Sequence, residues 1–556
     1  MTRANAAGSL SPDIPYVPAG SRRIILAYLT LAMVALALGG LVGPFQALNS
    51  IGVNLYDYLP VTSYYHGLTL HGVLLVLVWT TFFIAGFLSL VTIHGFQRPL
   101  SSRGLERLAF WSMTLGLLVA AVPILLNRAT VLFTAYPPLR AHPAFYIGLA
   151  LVVIGTWLLS ANVFLTYRDW RRENPGKRTP LIAFGAMVTL AMWDLASLGI
   201  AVEFVALLIP WSLGLVEGTN VLLARSLFWF TGHPIVYFWL LPTYLSWYFM
   251  MPKQVGGKLF SESLARLAFL LFIPMSLPVG FHHQYTDPGV PTSWKLVHAF
   301  FTFVVFFPSA LTMFTVLASL ETGGRARGGK GAVGWFFRLP WKDPSVTAQL
   351  LAMILFALGG ISGLINASYN LNLSVHNTLW VVGHFHLTVG TAVTLSFMGI
   401  TYWLIPYLTG RALYSPGMAR LQAWLWFIGM ALMGRGQHWL GILDAPRRTM
   451  LSDAPYYAAE WLTPSYLVAA GGIVLTVSGF LYLLNMALTA WASRVPAQVE
   501  VPMAEPLQDE AAMPVALDRL RPWVVGSAIL TAAAWVPMLW YMTVAHPWTI
   551  RGFTMW

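Results

Sequence analysis

The segment His376-Asn-Thr-Leu-Trp-Val-Val-Gly-His384-Phe-His386 lies in an apolar run, Val375 to Pro406, long enough to cross a bilayer as one helix. His384 and His386 are two residues apart. At about 100° per residue they point about 200° apart, to nearly opposite sides of the helix. Two imidazoles facing opposite ways cannot share one metal ion, but each can serve a separate site. The reading of the chain turns on whether other runs supply partners for two sites.

Composition places those runs in a membrane. The chain has 556 residues, 57% hydrophobic and only 9% charged, against about 25% charged in a soluble domain. It has no cysteine, which excludes disulfides, thiolate-held iron–sulfur clusters and Cys-ligated copper within this chain. Any metal falls to His, carboxylate or backbone. The net charge of +12 reads as the basic bias of inner loops, with no nucleic-acid partner implied. The polar start, Met1–Ser21, carries no evident cleavable signal peptide.

Thirteen runs can span: roughly 24–46, 64–93, 107–127, 143–167, 181–210, 222–250, 264–283, 296–320, 346–366, 375–406, 418–442, 464–493 and 522–545. The expected fold is an all-α polytopic bundle forming a single membrane domain over residues 1–556. An N-terminus inside puts roughly three in four of the 32 Lys and Arg on inner segments, as the positive-inside rule requires. Arg3, Arg22 and Arg23 start the inner set; Arg325, Arg327, Lys330, Arg338 and Lys342 form its densest loop. The only long polar insert, 494–520, reads as a cytoplasmic linker before the last helix.

With this topology, His71, His233, His282, His283, His384 and His386 all fall in the outer half of the membrane, on four runs. Any one of them could be a helix-packing histidine. Six confined to one layer point to function, since ionisable groups inside a membrane are costly. His282 and His283 are adjacent and reach one metal only if their helix ends or distorts there. Pro278, Gly280 and Asp287-Pro288-Gly289 make such an end plausible. With His233 they give three imidazoles, a set that suits copper, zinc and iron alike. Three ligands with an open position make a reactive centre rather than a structural one. His71, His384 and His386 remain. A pair from two helices can bind a haem iron from both faces, which favours electron transfer, and a single histidine leaves one axial position open for a small gas molecule.

Trp229-Phe-Thr-Gly-His233-Pro-Ile-Val-Tyr237, Phe281-His282-His283-Gln284 and Gly383-His384-Phe-His386 resemble the signature motifs of subunit I of the haem–copper oxidases, closest to the B family of ba-type cytochrome c oxidases. The resemblance runs from Ile24 to about Trp540. It implies that His71 and His386 ligate a low-spin haem b. His384 would be the proximal ligand of a high-spin haem, of A type by family. His233, His282 and His283 would bind the facing copper, CuB. Oxygen would be reduced to water between that iron and copper, in a multi-pass protein of the bacterial inner membrane. Electrons would come from cytochrome c through a dinuclear copper site on subunit II, which a chain without cysteine cannot supply. A small single-helix subunit and membrane lipid are further implied partners.

Tyr237 is four residues from His233, on the same helix face. Alone, such a pair is more often packing; in the resembled family this tyrosine is bonded to the copper-ligating histidine and supplies a proton and an electron. Toward the cytoplasm, Tyr244 and Tyr248 continue that face, Ser309, Thr312 and Thr315 line the eighth run, and Ser261 sits in an inner loop. Hydroxyls in membrane helices commonly serve as helix–helix glue, but two rows converging below a reactive metal favour a proton path. The resemblance makes it a single K-type channel.

Several positions depart from larger relatives. Ile235 stands where the A family has a glutamate that ends a second channel, so one channel is expected. His376-Asn377 replaces a His-Asp pair near a magnesium ion. Asn372 stands where B-family relatives carry an acid beside a haem propionate, which weakens the pumping expectation or shifts the role to His376. Arg447-Arg448 can pair with carboxylates bidentately; the resemblance makes haem propionates their partner. For Asp194 and Glu203, inside the fifth run, the expectation is structural pairing. Two alternatives stay open: a nitric oxide reductase with non-haem iron in place of copper, disfavoured by Tyr237 and Ile235, and a proton-coupled secondary transporter, which would carry no haem chromophore.

Overall fold

The computed structural model describes residues 17–58, 61–507 and 513–556; Arg3 and the middle of the 494–520 linker fall outside them. Among the described residues the thirteen runs become thirteen helical rods. They are α1 (Ala19–Asn49), α2 (Tyr64–Phe96), α3 (Arg103–Leu125), α4 (Pro143–Glu173), α5 (Leu181–Ser212), α6 (221–254), α7 (Glu262–Gln284), α8 (Thr292–Ala326), α9 (Pro344–Ala367), α10 (Leu379–Thr409), α11 (Pro416–Ile442), α12 (Leu462–Trp491) and α13 (Leu520–Val544). Eleven are long and apolar enough to cross a membrane. The other two are α6, interrupted at His233–Pro234, and α11, which carries Arg420, Gln422, Arg435, Gln437 and His438. Among the described residues the only sheet is a two-residue pairing of Thr219–Asn220 with Thr549–Ile550.

Burial sorts the rods. The apolar windows of α2 and α10 are 83% buried, those of α3 and α13 only 33% and 28%. The histidine-bearing helices are therefore the centre, and α3 and α13 form the rim. Close packing relies on small residues: a Cβ on Gly471 of α12 would lie 2.6 Å from the Gly429 carbonyl of α11, so only glycine lets these backbones meet.

Two rods are interrupted: α7 where Pro278 and Gly280 made a helix end plausible, and α6, which was expected to run unbroken. The seventh regular helix stops at Ser276, and Phe281–Gln284 forms a separate 3₁₀ turn. Gly280, with φ 150°, makes the junction; a Cβ there would sit 2.7 Å from the Trp229 carbonyl, which explains why glycine occupies it. In α6, Pro234 has no N–H to give, and the helix restarts after His233. Wider π turns occupy 73–79, 203–208, 246–250 and 388–393. The first begins two residues after His71 and the last two after His386, and such turns frequently mark functional sites.

Candidate metal centre

The 3₁₀ turn brings His282 and His283 to the break in α6. Ligating nitrogens of His233, His282 and His283 all lie within 4.8 Å of one another. His233 presents Nδ1 to this group, 3.3 Å from His283 Nε2, and turns Nε2 to the Tyr237 hydroxyl at 3.1 Å. Trp229 stacks flat on His283, ring centroids 3.6 Å apart. Thr302 of α8 holds His282 through Nδ1 at 3.1 Å, leaving Nε2 for the centre. These restraints hold three imidazole nitrogens around one point, His282 buried and the other two half-buried, a donor set that fits copper or another imidazole-seeking ion.

Opposite the triad is a cavity of about 430 Å³, lined by His233, His282, His283, Tyr237 and His384. His384 lies within electrostatic reach of His233 across it. Its Nδ1 is held by the Gly359 carbonyl at 3.0 Å and Ser362 Oγ at 3.1 Å. Nδ1 donates to the carbonyl, so Nε2 keeps its lone pair for a metal. A Cβ on Gly363 would come within 2.9 Å of the His384 ring.

His386 faces elsewhere and does not line this cavity, as the two-residue spacing requires. Its Nδ1 contacts the Val382 carbonyl at 2.9 Å. His71 does the same with the Gly39 carbonyl of α1, also at 2.9 Å, and lies within electrostatic reach of His386. Gly43 and Gly390 back the two imidazoles. Two histidines from two helices, each with Nε2 free, fit the two faces of one haem iron.

Above both sites lies an uncompensated polar layer. Arg447 donates to Asn377 Oδ1 at 2.8 Å, yet its Nε and the Arg448 Nη2 are buried without partners. Burial, and then the neighbouring Arg448 charge, lowers the Arg447 guanidinium to about 9. His376 binds Asn372 Oδ1 at 2.7 Å through Nδ1 and leaves Nε2 orphaned. Tyr136, faced by Arg225 and Arg448, has an unpartnered hydroxyl. Buried donors without acceptors are costly, and this set fits the carboxylates of a haem edge. Arg225 also pairs with Asp287 at 2.7 Å; burial raises the Asp287 carboxyl and Arg225 opposes that rise.

The chain matches the family model "Cytochrome C and Quinol oxidase polypeptide I" over residues 23–475. It is 45% identical to cytochrome c oxidase subunit 1 of Thermus thermophilus, over 96% of this chain and 97% of that one. This chain belongs to the haem–copper oxidase subunit I family. Within it, the chain takes its place in the B family. A subunit 1 from Thermostichus vulcanus is more distant, 26% identical over 83% of this chain and 82% of its own. A solved haem–copper terminal oxidase dimer superposes with a TM-score of 0.92 at 37% identity, covering 97% of this chain and 96% of that one. Family membership makes the chain a membrane-spanning cytochrome c oxidase subunit with haem and copper cofactors.

Below the triad, Tyr237 and Tyr244 both pack against Phe272. Tyr248 donates to Thr312 Oγ1 at 3.0 Å. The Tyr244 hydroxyl is buried without a hydrogen-bond partner. Ser261 caps the start of α7, accepting from the Leu264 amide at 3.2 Å. Asp194 is paired at one oxygen only: Oδ2 accepts from Ser160 at 2.5 Å, and Oδ1 is buried without a partner. Glu203 departs from the expected pairing: fully buried, with no hydrogen-bond partner for either oxygen. Thr302 and Ser362 escaped sequence reading, because a threonine or serine in a membrane helix has no signature until the fold shows which imidazole it meets.

Proposed function

We propose that the chain, as one membrane domain, is the catalytic subunit of a B-type terminal oxidase of the bacterial inner membrane. It reduces oxygen to water with electrons from cytochrome c, delivered through a dinuclear copper site on subunit II. When bound, a low-spin haem b, an A-type high-spin haem and CuB supply electron transfer and oxygen chemistry. His71 and His386 would hold the first, His384 the second, and His233, His282 and His283 the copper. A small single-helix subunit and membrane lipid complete the assembly.

The observation that carries this reading is the cavity with a free His384 Nε2 on one side and the triad with Tyr237 on the other. The Gly359 carbonyl orients His384, and Tyr237, Thr302 and Trp229 orient His233, His282 and His283, before any ligand arrives, so no reorganisation is needed during reaction. Tyr237 stands where it can give a proton into the cavity. Tyr244, Tyr248, Ser309, Thr312, Thr315 and Ser261 form the single K-type route that refills it from the cytoplasm. Arg447, Arg448 and His376, with buried donors left unpartnered, would hold the haem carboxylates. Proton pumping follows from the same route, with His376 taking the place that Asn372 cannot fill.

Purified enzyme with subunit II should consume oxygen with reduced cytochrome c and take up protons from the inner side of sealed vesicles. Production of nitrous oxide from nitric oxide without oxygen consumption would instead favour the reductase reading.

A further inference from the structure

The linker after α12 is pinned to the inner face at three places. Ala412 N–H donates to the Val495 carbonyl at 2.9 Å, and Ala497 N–H to the Gly410 carbonyl at 3.0 Å. At the far end, Asp518 accepts from the Thr179 amide at 3.2 Å and pairs with Arg266 at 3.0 Å. Arg266 is fully buried, also pairs with Glu262 at 2.7 Å and stacks over Phe184.

The middle attachment has a different character. Leu259 N–H donates to the Glu505 carbonyl at 2.9 Å, Leu507 N–H to the Leu259 carbonyl at 2.7 Å, and Ala504 N–H to the Phe249 carbonyl at 2.8 Å. Leu259 is 2% exposed, and the linker satisfies both of its backbone groups. Phe249 directly follows Tyr248. On its other side the 257–260 loop is clamped to α8. Lys258 N–H donates to Thr322 Oγ1 and Phe260 N–H to Ser319 Oγ, both at 2.9 Å, and Ser319 donates to the Thr315 carbonyl at 2.6 Å. A Cβ on Gly257 would lie 2.5 Å from Thr322 Oγ1. A mere tether between two helices has no need to pair along its middle. Here the pairing lies under α6, α7 and α8, the three elements that carry the hydroxyl line.

We infer that residues 504–507, anchored through Asp518, position the inner mouth of that line and so set the rate of proton entry. This rests on the proton-path reading above. Without the linker, the buried N–H and C=O of Leu259 have no acceptor or donor, a cost the loop avoids only by moving toward water. Movement there would pull Phe260 from Ser319 and displace the foot of α8's hydroxyls.

The test compares Leu507→Pro, Leu507→Ala, Asp518→Ala and Thr312→Val in the intact enzyme with its partner subunit. Proline removes the N–H that pairs with Leu259; alanine keeps it. Leu507→Pro should lower kcat about tenfold, since small misplacements in a relay are costly. Apparent KM for oxygen and the haem spectrum should be unchanged, and the deficit should grow as pH rises and protons become scarcer. Leu507→Ala should stay within about twofold, since its backbone pairing survives. Leu507→Pro matching the parent at every pH while Thr312→Val is slow would overturn the inference and leave the proton line standing. If both match the parent, the proton line itself fails and the inference with it. Should Leu507→Pro fail to assemble its haems, Asp518→Ala decides. The same pH-dependent loss supports the positioning role, and parental turnover overturns it.

Discussion

In the outer half of the bundle, His71, His384 and His386 each commit Nδ1 to a carbonyl and keep Nε2 directed at a site. In the inner half, Thr312, Thr315 and Ser319 each donate to the carbonyl four residues back and keep their lone pairs. An imidazole pinned at one nitrogen cannot turn, so the outer groups are fixed ligands. A hydroxyl rotates about one bond and exchanges donor for acceptor. The outer half is built to hold ions still, and the inner half to let a proton change hands.

Substitutions can break this comparison, and the largest effects belong to the fixed half. His386→Ala should remove the low-spin haem band while sparing the high-spin one and abolish cytochrome c oxidation. Loss of the high-spin band alone would mean that His384 and His386 have exchanged roles. Next comes Tyr237→Phe, which should keep both haems yet cut oxygen reduction by at least about a hundredfold, the scale of a lost proton donor. Normal turnover there would remove Tyr237 from the chemistry. In the mobile half, Thr312→Val breaks the 3.0 Å contact to Tyr248 and should slow turnover about tenfold with unchanged spectra, a partial loss of proton transfer; stopped-flow proton uptake would register it. The smallest effect should be Ser362→Ala. His384 retains the Gly359 carbonyl, so about 1 kcal/mol of hydrogen bonding is at stake. The high-spin band should shift slightly with turnover preserved. A larger loss there than in Thr312→Val would invert the ranking and the contrast behind it.

The outer half was the more legible in sequence, for a physical reason. A histidine in an apolar run is costly wherever it sits, so six at one depth announce themselves. The end before Gly280 also had local signals, in Pro278 and Gly280; the break at Pro234 was not read. The inner half had weaker ones, because serine and threonine satisfy themselves within a helix and look the same whether or not a proton passes. Thr302 on His282, Ser362 on His384 and the pairing of Leu507 with Leu259 join residues far apart in the chain. No periodicity marks such contacts. The π turns beside His71 and His386 were equally hidden, since their sequences are ordinary apolar helix formers. Glu203 was visible as an acid inside a membrane run, and only the fold showed it without a partner.

Haem and metal stoichiometry of the purified protein tests the two-site reading of α10 most directly, by pyridine haemochrome analysis together with iron and copper content. The account predicts two haem irons and one copper for each chain, once copper held by subunit II is subtracted. A third, non-haem iron with no copper, or a protein without haem bands, would contradict it.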